Sequence, residues 1–465
     1  MPQTPIANTP HHIGEHVTVA GWVHSIRDMG KMAFIDVRDW SGILQVVLGS
    51  EDLPSLGAEW VIEVSGPVKE RGEQFQNPEL ITGDIELAAE SITVLSQAKV
   101  TPIEINKDTR GISEEVRLQY RYLDLRSQRM QQNLRLRHKV KQFLRNHLTE
   151  QDFIEVETPL LTKGTPEGAR EFLVPSRLHP GNFYVLPQSP QQFKQLLMVG
   201  GVQRYFQLTK AFRDEDQRGD RQPEHTQLDM ELSFVDREDI LQITEDMMIA
   251  LVEQLLPDHY ISRRPFPRIT YAQAMEQYGT DKPDLRSDPE DPYELAFAWV
   301  VDFPMFEIET STGNIAAMHH PFTAPKSGQR ELLDSQPTDV VADQFDLVLN
   351  GYEAGGGSMR INDQQLQYKI FEILGMDQSQ ADQQFGHMLE AFQYGVPPHG
   401  GIALGLDRLL MIFANEPNIR EVMAFPKTGD ARDPMMNAPG PMPEQALKDV
   451  HIDIEHDRDN GRKQQ

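Results

Sequence analysis

The chain contains no cysteine, which removes disulfides, thiol nucleophiles and cysteine-ligated zinc from consideration. Positive charge is scarce too: 44 Lys and Arg stand against 71 Asp and Glu, giving a net charge of −27. That balance argues against broad, nonspecific attraction to nucleic acid or to an anionic membrane. Any polyanion must then be met by local basic patches. No apolar run is long enough to span a bilayer, and the polar start Pro2 to His12 lacks the apolar core of a secretion signal. A soluble, cytoplasmic protein with no membrane partner is expected. There is no internal repeat, and the one biased stretch is the tail His456 to Gln465, expected to be disordered. What is present is globular: 465 residues, 39% hydrophobic and 25% charged, enough for two or three domains.

The stretch Tyr205 to Phe234 reads as two strands joined by a long charged loop. Leu228, Met230, Leu232 and Phe234 alternate with Gln227, Asp229, Glu231 and Ser233, so one face is core and the other polar. The outgoing strand ends in Phe212, Arg213, Asp214 and Glu215, at the rim of that polar face. A surface hairpin with a solvated tip fits the same pattern. A floor of Gln, Asp and Glu with arginines at its rim suits a ligand carrying both an ammonium and phosphates.

Upstream, alternating runs at 17–27, 32–39, 43–48, 60–69 and 85–95, punctuated by Gly42, Gly57, Gly72 and Gly83, suit a closed five-stranded barrel. The oligonucleotide-binding (OB) fold is the commonest such barrel. Phe34, Asp36 and Arg38 share the face opposite Ile35 and Val37, where an aromatic beside polar groups can read unstacked bases. Periodicity alone equally allows Phe34 as core. A linker from Ser96 leads to a helix start at Ser113 and to a helix over about 127–149, with Met130, Leu134, Val140, Phe143, Leu144 and Leu148 on one face. Six Lys or Arg and no acid lie between Arg129 and Arg145, which makes either a local positive patch or a solvated helix face.

Phe153 to Leu161 is predicted as a strand confined by Pro159 to an edge or a strand end. Val185 to Lys194 runs from a strand into a helix with Gln191 and Lys194 on one side, an anion site or a solvated lysine. Asp236 is predicted to cap an amphipathic helix. His319 and His320 lack further metal partners at suitable spacing, so substrate contact or packing is expected. In the stretch Phe345 to Arg360, three consecutive glycines permit close approach of a ligand or form a flexible hairpin loop. Asp346 and Glu353 there offer hard oxygens to magnesium. Gly400 to Arg408 passes from a glycine-spaced strand into a helix and is neither a Walker loop nor a dinucleotide fingerprint.

In this order and spacing the set resembles the class II aminoacyl-tRNA synthetases, and within them the bacterial aspartyl family, over nearly the whole chain. The helix with Pro159 resembles motif one, the Phe212 to Glu215 hairpin motif two, and Gly401 to Arg408 motif three. The resemblance implies an α+β protein with an all-β N-terminal domain. An OB-fold five-stranded barrel for the anticodon (1–100) and a linker or hinge (101–126) would precede a class II catalytic domain (127–455), an antiparallel sheet flanked by helices. It implies a homodimer formed through motif one, and ATP-dependent attachment of L-aspartate to tRNA(Asp) through an aspartyl-adenylate. Alternatives are an enzyme that also charges tRNA(Asn), and a catalytically silent RNA-binding paralogue. Retention of Lys194, Arg213, Glu353 and Arg408 together weighs against silence.

By the same resemblance Arg213 and Arg408 are the catalytic groups, on the α- and γ-phosphates of ATP. Asp214, Glu215, Gln222, His225, Glu353, Gly405, Leu406 and Asp407 complete the ATP site, and Asp346 and Glu353 hold Mg2+. Lys194 and Arg360 meet the side-chain carboxylate of aspartate, with Glu167, Ser189, Gln191, Arg213, Asp229 and His319 around it. Arg27, Phe34 and Gln45 face the anticodon. Two departures stand out. The family usually carries a further domain between motifs two and three, whereas here Tyr278 to Arg286 is followed by only a few residues before Tyr293. His225 occupies the position of a phenylalanine that stacks on adenine, so ATP affinity is expected to vary across the histidine pH range.

Overall fold

In the computed structural model, which describes residues 3–164, 169–309 and 313–454, the N-terminal alternation folds as six strands. They are β1 (His16–Asp28), β2 (Met32–Arg38), β3 (Ile43–Gly49), β4 (Val61–Glu70), β5 (Ile85–Ala88) and β6 (Ser91–Ser96). β1 pairs with β2 and β4, β2 with β3, and β5 with both β3 and β4, so the sheet closes into a barrel. β6 continues along β4 beyond β5, so the fifth run is one barrel position broken at Ala89 and Glu90. Val19, Val23, Ile35, Val37, Ile62 and Val64 point inward and are buried, as period-two patterning requires.

Residues up to 128 form one compact unit with the barrel. Within it α1 (Glu114–Gln119) and α2 (Arg121–Asp124) enclose a small cluster of Ile103, Ile105 and Leu123. Arg126 bonds Glu59 at 3.0 Å and lies over the Trp22 ring. Ser113 precedes α1 as expected, but its side chain makes no capping bond.

The second unit, 129–465, runs through α3 (Gln128–Thr149), β7 (Ile154–Glu155), β8 (Leu173–Pro175), β9 (Phe183–Val185), α4 (Gln191–Val199), β10 (Arg204–Phe212), β11 (Glu224–Ser233), α5 (Arg237–Leu255), β12 (Tyr260–Ile261), β13 (Arg268–Thr270) and α6 (Tyr271–Tyr278). It continues through β14 (Glu294–Leu295), β15 (Phe297–Val301), β16 (Phe306–Ile308), β17 (Ile315–Ala317), β18 (Gln344–Leu349), β19 (Tyr352–Met359), α7 (Gln364–Ile373), α8 (Gln378–Ala391), β20 (His399–Gly405) and α9 (Leu406–Phe413). Among the described residues the large sheet has the order β13-β15-β18-β19-β20-β11-β10-β7. Its six central strands are antiparallel, as expected, while β13 and β7 add parallel pairings at the two edges. Only two residues of the Phe153 to Leu161 run are strand, and Leu160 and Leu161 are exposed.

The basic run of α3 is not a free patch. Arg129 pairs with Glu416 and Glu421, Arg137 with Asp407, and Arg145 with Glu155, so half of the run fastens α3 to its neighbours. Asp236 caps α5 in a reciprocal capping box with Asp239, which places Ile240, Met247 and Leu251 in the main core. One expectation fails, and one of the two readings of the triple glycine is excluded. Phe234, the fourth apolar residue of the alternation, lies beyond the end of β11 with φ 58° and is 66% exposed. The triple glycine is no loop but the middle of β19: a Cβ on Gly355 would come 2.5 Å from the Ala403 carbonyl, and one on Gly357 2.4 Å from that of Gly401.

Candidate active site

The polar face of β11 is not open to water. Asp229 and Glu231 have no exposed surface, so their charges must be matched from within. Lys194 of α4 reaches them, with Nζ 2.9 Å from Asp229 and 3.5 Å from Glu231. From the other side Arg360 donates to both oxygens of Glu231, at 2.9 and 3.2 Å. Burial pushes the Glu231 carboxyl up, but Arg360 and Lys194 outweigh it and hold the group below its usual range. The remaining donors of Arg360 reach Ser358 Oγ at 2.6 Å, His320 Nε2 at 2.8 Å and the Gly401 carbonyl at 3.4 Å. All five guanidinium N–H groups are therefore engaged by the protein, whereas Lys194 retains a donor. Asp229 Oδ2 is buried without a partner, and Ser189 Oγ accepts from the Gln191 backbone at 3.3 Å. Glu167 lies outside the described residues.

An open cavity adjoins this floor. The β10–β11 hairpin contributes Arg213, Glu215, Gln222 and His225, β19 contributes Glu353 and Gly355, and the β20–α9 junction Gly405, Asp407 and Arg408. Arg408 donates to the Glu353 carbonyl and, at 2.9 Å, to Asp220, while its Nε is buried and unmatched. Asp407 accepts from the Thr226 backbone at 2.7 Å and from Arg137, which fixes the spacing between His225 and Arg408. Gln222 spends both ends of its amide on the Lys427 backbone, at 3.0 and 2.8 Å. Glu215 is 3.3 Å from Arg221. Asp214 is exposed at the rim and the Leu406 side chain belongs to the apolar core, so neither side chain faces the cavity as expected.

Burial, reinforced by Arg213, lowers the pKa of His225 to about 4. In the free protein the ring is neutral throughout the physiological range, so the expected variation of ATP affinity there requires the bound phosphates to raise that pKa.

Asp346 of β18 and Glu353 of β19 converge over Gly356, whose missing Cβ would lie 3.0 Å from Asp346 Oδ1 and 3.7 Å from Glu353 Oε1. Desolvation, and then Asp346, raise the proton affinity of Glu353. Two converging carboxylates, Asp346 buried and Glu353 exposed at the surface, suit a dication. Among the described residues no group of three or more His, Asp or Glu forms a fuller cage, and magnesium, which keeps several waters and takes phosphate oxygens, needs none. His319 lies 3.5 Å from Asp346, which outweighs burial and raises the pKa of the ring.

On the barrel, Phe34 is half-exposed on the outer face, between Arg27 of β1 and Val47 of β3, and is not core. Arg27 reaches Asp36 at 3.1 Å and Gln45 at 3.3 Å, so the three residues expected at the anticodon stand together. Sequence reasoning missed Arg71, which follows β4. It is 8% exposed, its Nε and Nη2 have no partner, and its charge interacts with those of Glu86, Asp36 and Arg27. Nothing in the sequence pattern distinguishes it from a solvated arginine. Buried, unmatched guanidinium donors suit a ligand that carries hydrogen-bond acceptors.

A family model described as tRNA synthetases class II (D, K and N) matches residues 113–429, and one described as an OB-fold nucleic acid binding domain matches residues 17–95. The chain is similar to an aspartate–tRNA(Asp/Asn) ligase of Rubrobacter xylanophilus, 41% identical over 572 aligned positions covering 95% of each chain. It is also similar to an aspartate–tRNA ligase of Geobacillus kaustophilus, 40% identical over 95% of this chain and 97% of that one. An alignment of 572 positions against a chain of 465 leaves at least 107 residues of the Rubrobacter protein without a counterpart, in keeping with an inserted domain that is missing here. Two solved structures share the fold. They are an asparaginyl-tRNA synthetase from Pyrococcus horikoshii complexed with asparaginyl-adenylate (TM-score 0.73, 23% identity, 90% of this chain and 96% of that one) and an aspartyl tRNA synthetase from Entamoeba histolytica (TM-score 0.71, 22% identity, 92% and 91%).

Proposed function

Because the chain belongs to the class II aminoacyl-tRNA synthetases of the aspartate, lysine and asparagine group, we propose that it attaches L-aspartate to tRNA(Asp), at the expense of ATP, through an aspartyl-adenylate. The observation that carries this reading is the meeting, on one sheet, of a buried floor holding Lys194, Asp229, Glu231 and Arg360 with a cavity rimmed by Arg213 and Arg408. In the first step a carboxylate oxygen of aspartate bonds to the α-phosphorus of ATP and pyrophosphate leaves. In the second the terminal ribose hydroxyl of the tRNA takes the aspartyl group and AMP leaves. The first step needs no protein nucleophile, only alignment and cations set against spreading phosphate charge.

Arg213 is assigned to the α-phosphate and Arg408 to the γ-phosphate, released from Asp220. Asp346 and Glu353 would hold Mg2+, which supplies further charge neutralisation to the phosphates. Lys194 takes the substrate's side-chain carboxylate, joined by Arg360 on giving up its Ser358 and His320 contacts, and Asp229 Oδ2 takes the ammonium. Residues 1–100 bind the anticodon through Phe34, Arg27, Gln45 and Arg71, 101–126 connect, and 127–455 catalyse. A homodimer is supported by the exposed Ile154, Leu160, Leu161, Leu173 and Phe183 around β7 to β9. No helix among the described residues is long and apolar enough to cross a membrane, and we assign the protein to the cytoplasm, where its tRNA substrates are charged.

A second reading, that tRNA(Asn) is also charged, is favoured by the name of the Rubrobacter relative. Aminoacylation of each purified tRNA with aspartate tests both. Charging of tRNA(Asp) is expected, charging of tRNA(Asn) separates the relaxed enzyme from the strict one, and failure with both rejects the assignment.

A further inference from the structure

Behind the amino-acid floor, the direction of a buried hydrogen-bond chain is set by one backbone carbonyl. The oxygen of Pro397 can only accept, and His399 Nδ1 lies 2.8 Å from it, so that nitrogen carries the proton. His399 has no exposed surface and burial lowers its pKa, which leaves Nε2 unprotonated as an acceptor. The group 3.1 Å from Nε2 is therefore the amide nitrogen of Gln195, which is itself fully buried. With its nitrogen committed to the ring, Gln195 turns Oε1 toward Gln191, whose Nε2 donates across 3.0 Å. Gln191 is left with its oxygen as the free end.

One turn along α4 from Gln191, Lys194 touches Asp229, whose Oδ2 is buried and unmatched. The floor thus offers two acceptors to a ligand, Asp229 Oδ2 and Gln191 Oε1, the latter accepting no hydrogen bond among the described residues. We propose that His399 and Gln195 are positioning residues for amino-acid recognition: they fix the Gln191 amide with its oxygen toward the pocket, where with Asp229 it accepts from the substrate ammonium. This role rests on the assignment of the pocket to aspartate made above. A glutamine without such a relay presents either end, and its N–H end repels an ammonium. The carbonyl of Pro397, which touches no substrate, sets the polarity of the whole series.

The test is aspartate-dependent ATP–pyrophosphate exchange by the full chain and its His399→Phe and Gln195→Met variants. In both, KM for L-aspartate is expected to rise roughly tenfold to a hundredfold, the size of a lost hydrogen bond to a charged group, while KM for ATP stays within about twofold. Joint rises in both constants, or no change in either, overturn the proposal. Nitrogen NMR of isotope-labelled histidine in the parent protein keeps the test open if a variant does not fold. His399 is expected as the neutral Nδ1–H tautomer near neutral pH, and an Nε2–H tautomer overturns the relay. A parent protein without exchange would reject the aspartate reading itself, whereas an active parent with unsplit variants rejects the relay alone.

Discussion

Gly401 and Glu231 face each other across β20 and β11, and a Cβ on Gly401 would lie 2.1 Å from a Glu231 carboxylate oxygen. The bare backbone of β20 is what lets a charged side chain lie between Lys194 and Arg360. Gly401→Ala is expected to push Glu231 away from both cations. Overpacking of this kind costs about 1–3 kcal/mol, read as a lower denaturant midpoint, and KM for aspartate should rise with it. An alanine variant with parental stability and parental KM would refute the packing argument.

The lowered pKa of His225, about 4, fixes a sign. A histidine held below its unfolded value of about 6.5 contributes stability that is fully present above that value and is lost as pH falls toward 4. Between about pH 5.5 and 8 the ring in the folded protein is neutral, so KM for ATP should follow the same pH profile in the parent and in His225→Phe. On acidification the parent should lose more stability than the variant. Diverging ATP profiles in that range would show that the ring titrates beside the nucleotide after all.

Period-two alternation made β11 legible, and glycine spacing placed the β20–α9 junction. The pattern could not show that the polar face of β11 is covered, since alternation records which residues share a face and not what lies on it. Gln222 and Asp407, expected at the ATP site from the family resemblance, line the cavity. Their commitment to Lys427 and to Arg137 and Thr226 was not legible, because those partners are remote in sequence. Phe234 failed because the chain leaves the strand one residue early, through a positive φ that apolar patterning does not signal. Arg71 was invisible because an arginine at a loop mouth looks the same whether solvated or buried.

The barrel should govern tRNA binding and leave adenylate formation alone. Phe34→Ala removes a stacking surface worth roughly 1–3 kcal/mol, which should raise KM for tRNA while pyrophosphate exchange stays intact. Arg71→Met should act on the same side. Equal damage to both reactions would mean that these residues support the fold and do not read the anticodon.

Asp346 and Glu353 should make the reaction dependent on a divalent cation. Chelation is expected to abolish exchange and added magnesium to restore it, with Glu353→Gln shifting the magnesium activation curve to higher concentration. An unshifted curve in that variant would remove Glu353 from the metal site.

Arg213, Arg408, the buried floor and the metal site of Asp346 and Glu353 together should activate aspartate without tRNA, and ATP–pyrophosphate exchange in the presence of magnesium reads this directly. Exchange should be stimulated by L-aspartate, with asparagine discriminated against by roughly 10⁴ or more because its amide sets an N–H donor and no charge against Lys194 and Arg360, and should be almost completely lost in Arg213→Ala. Absence of aspartate-dependent exchange in the parent, or substantial exchange in Arg213→Ala, would contradict this reading of the site.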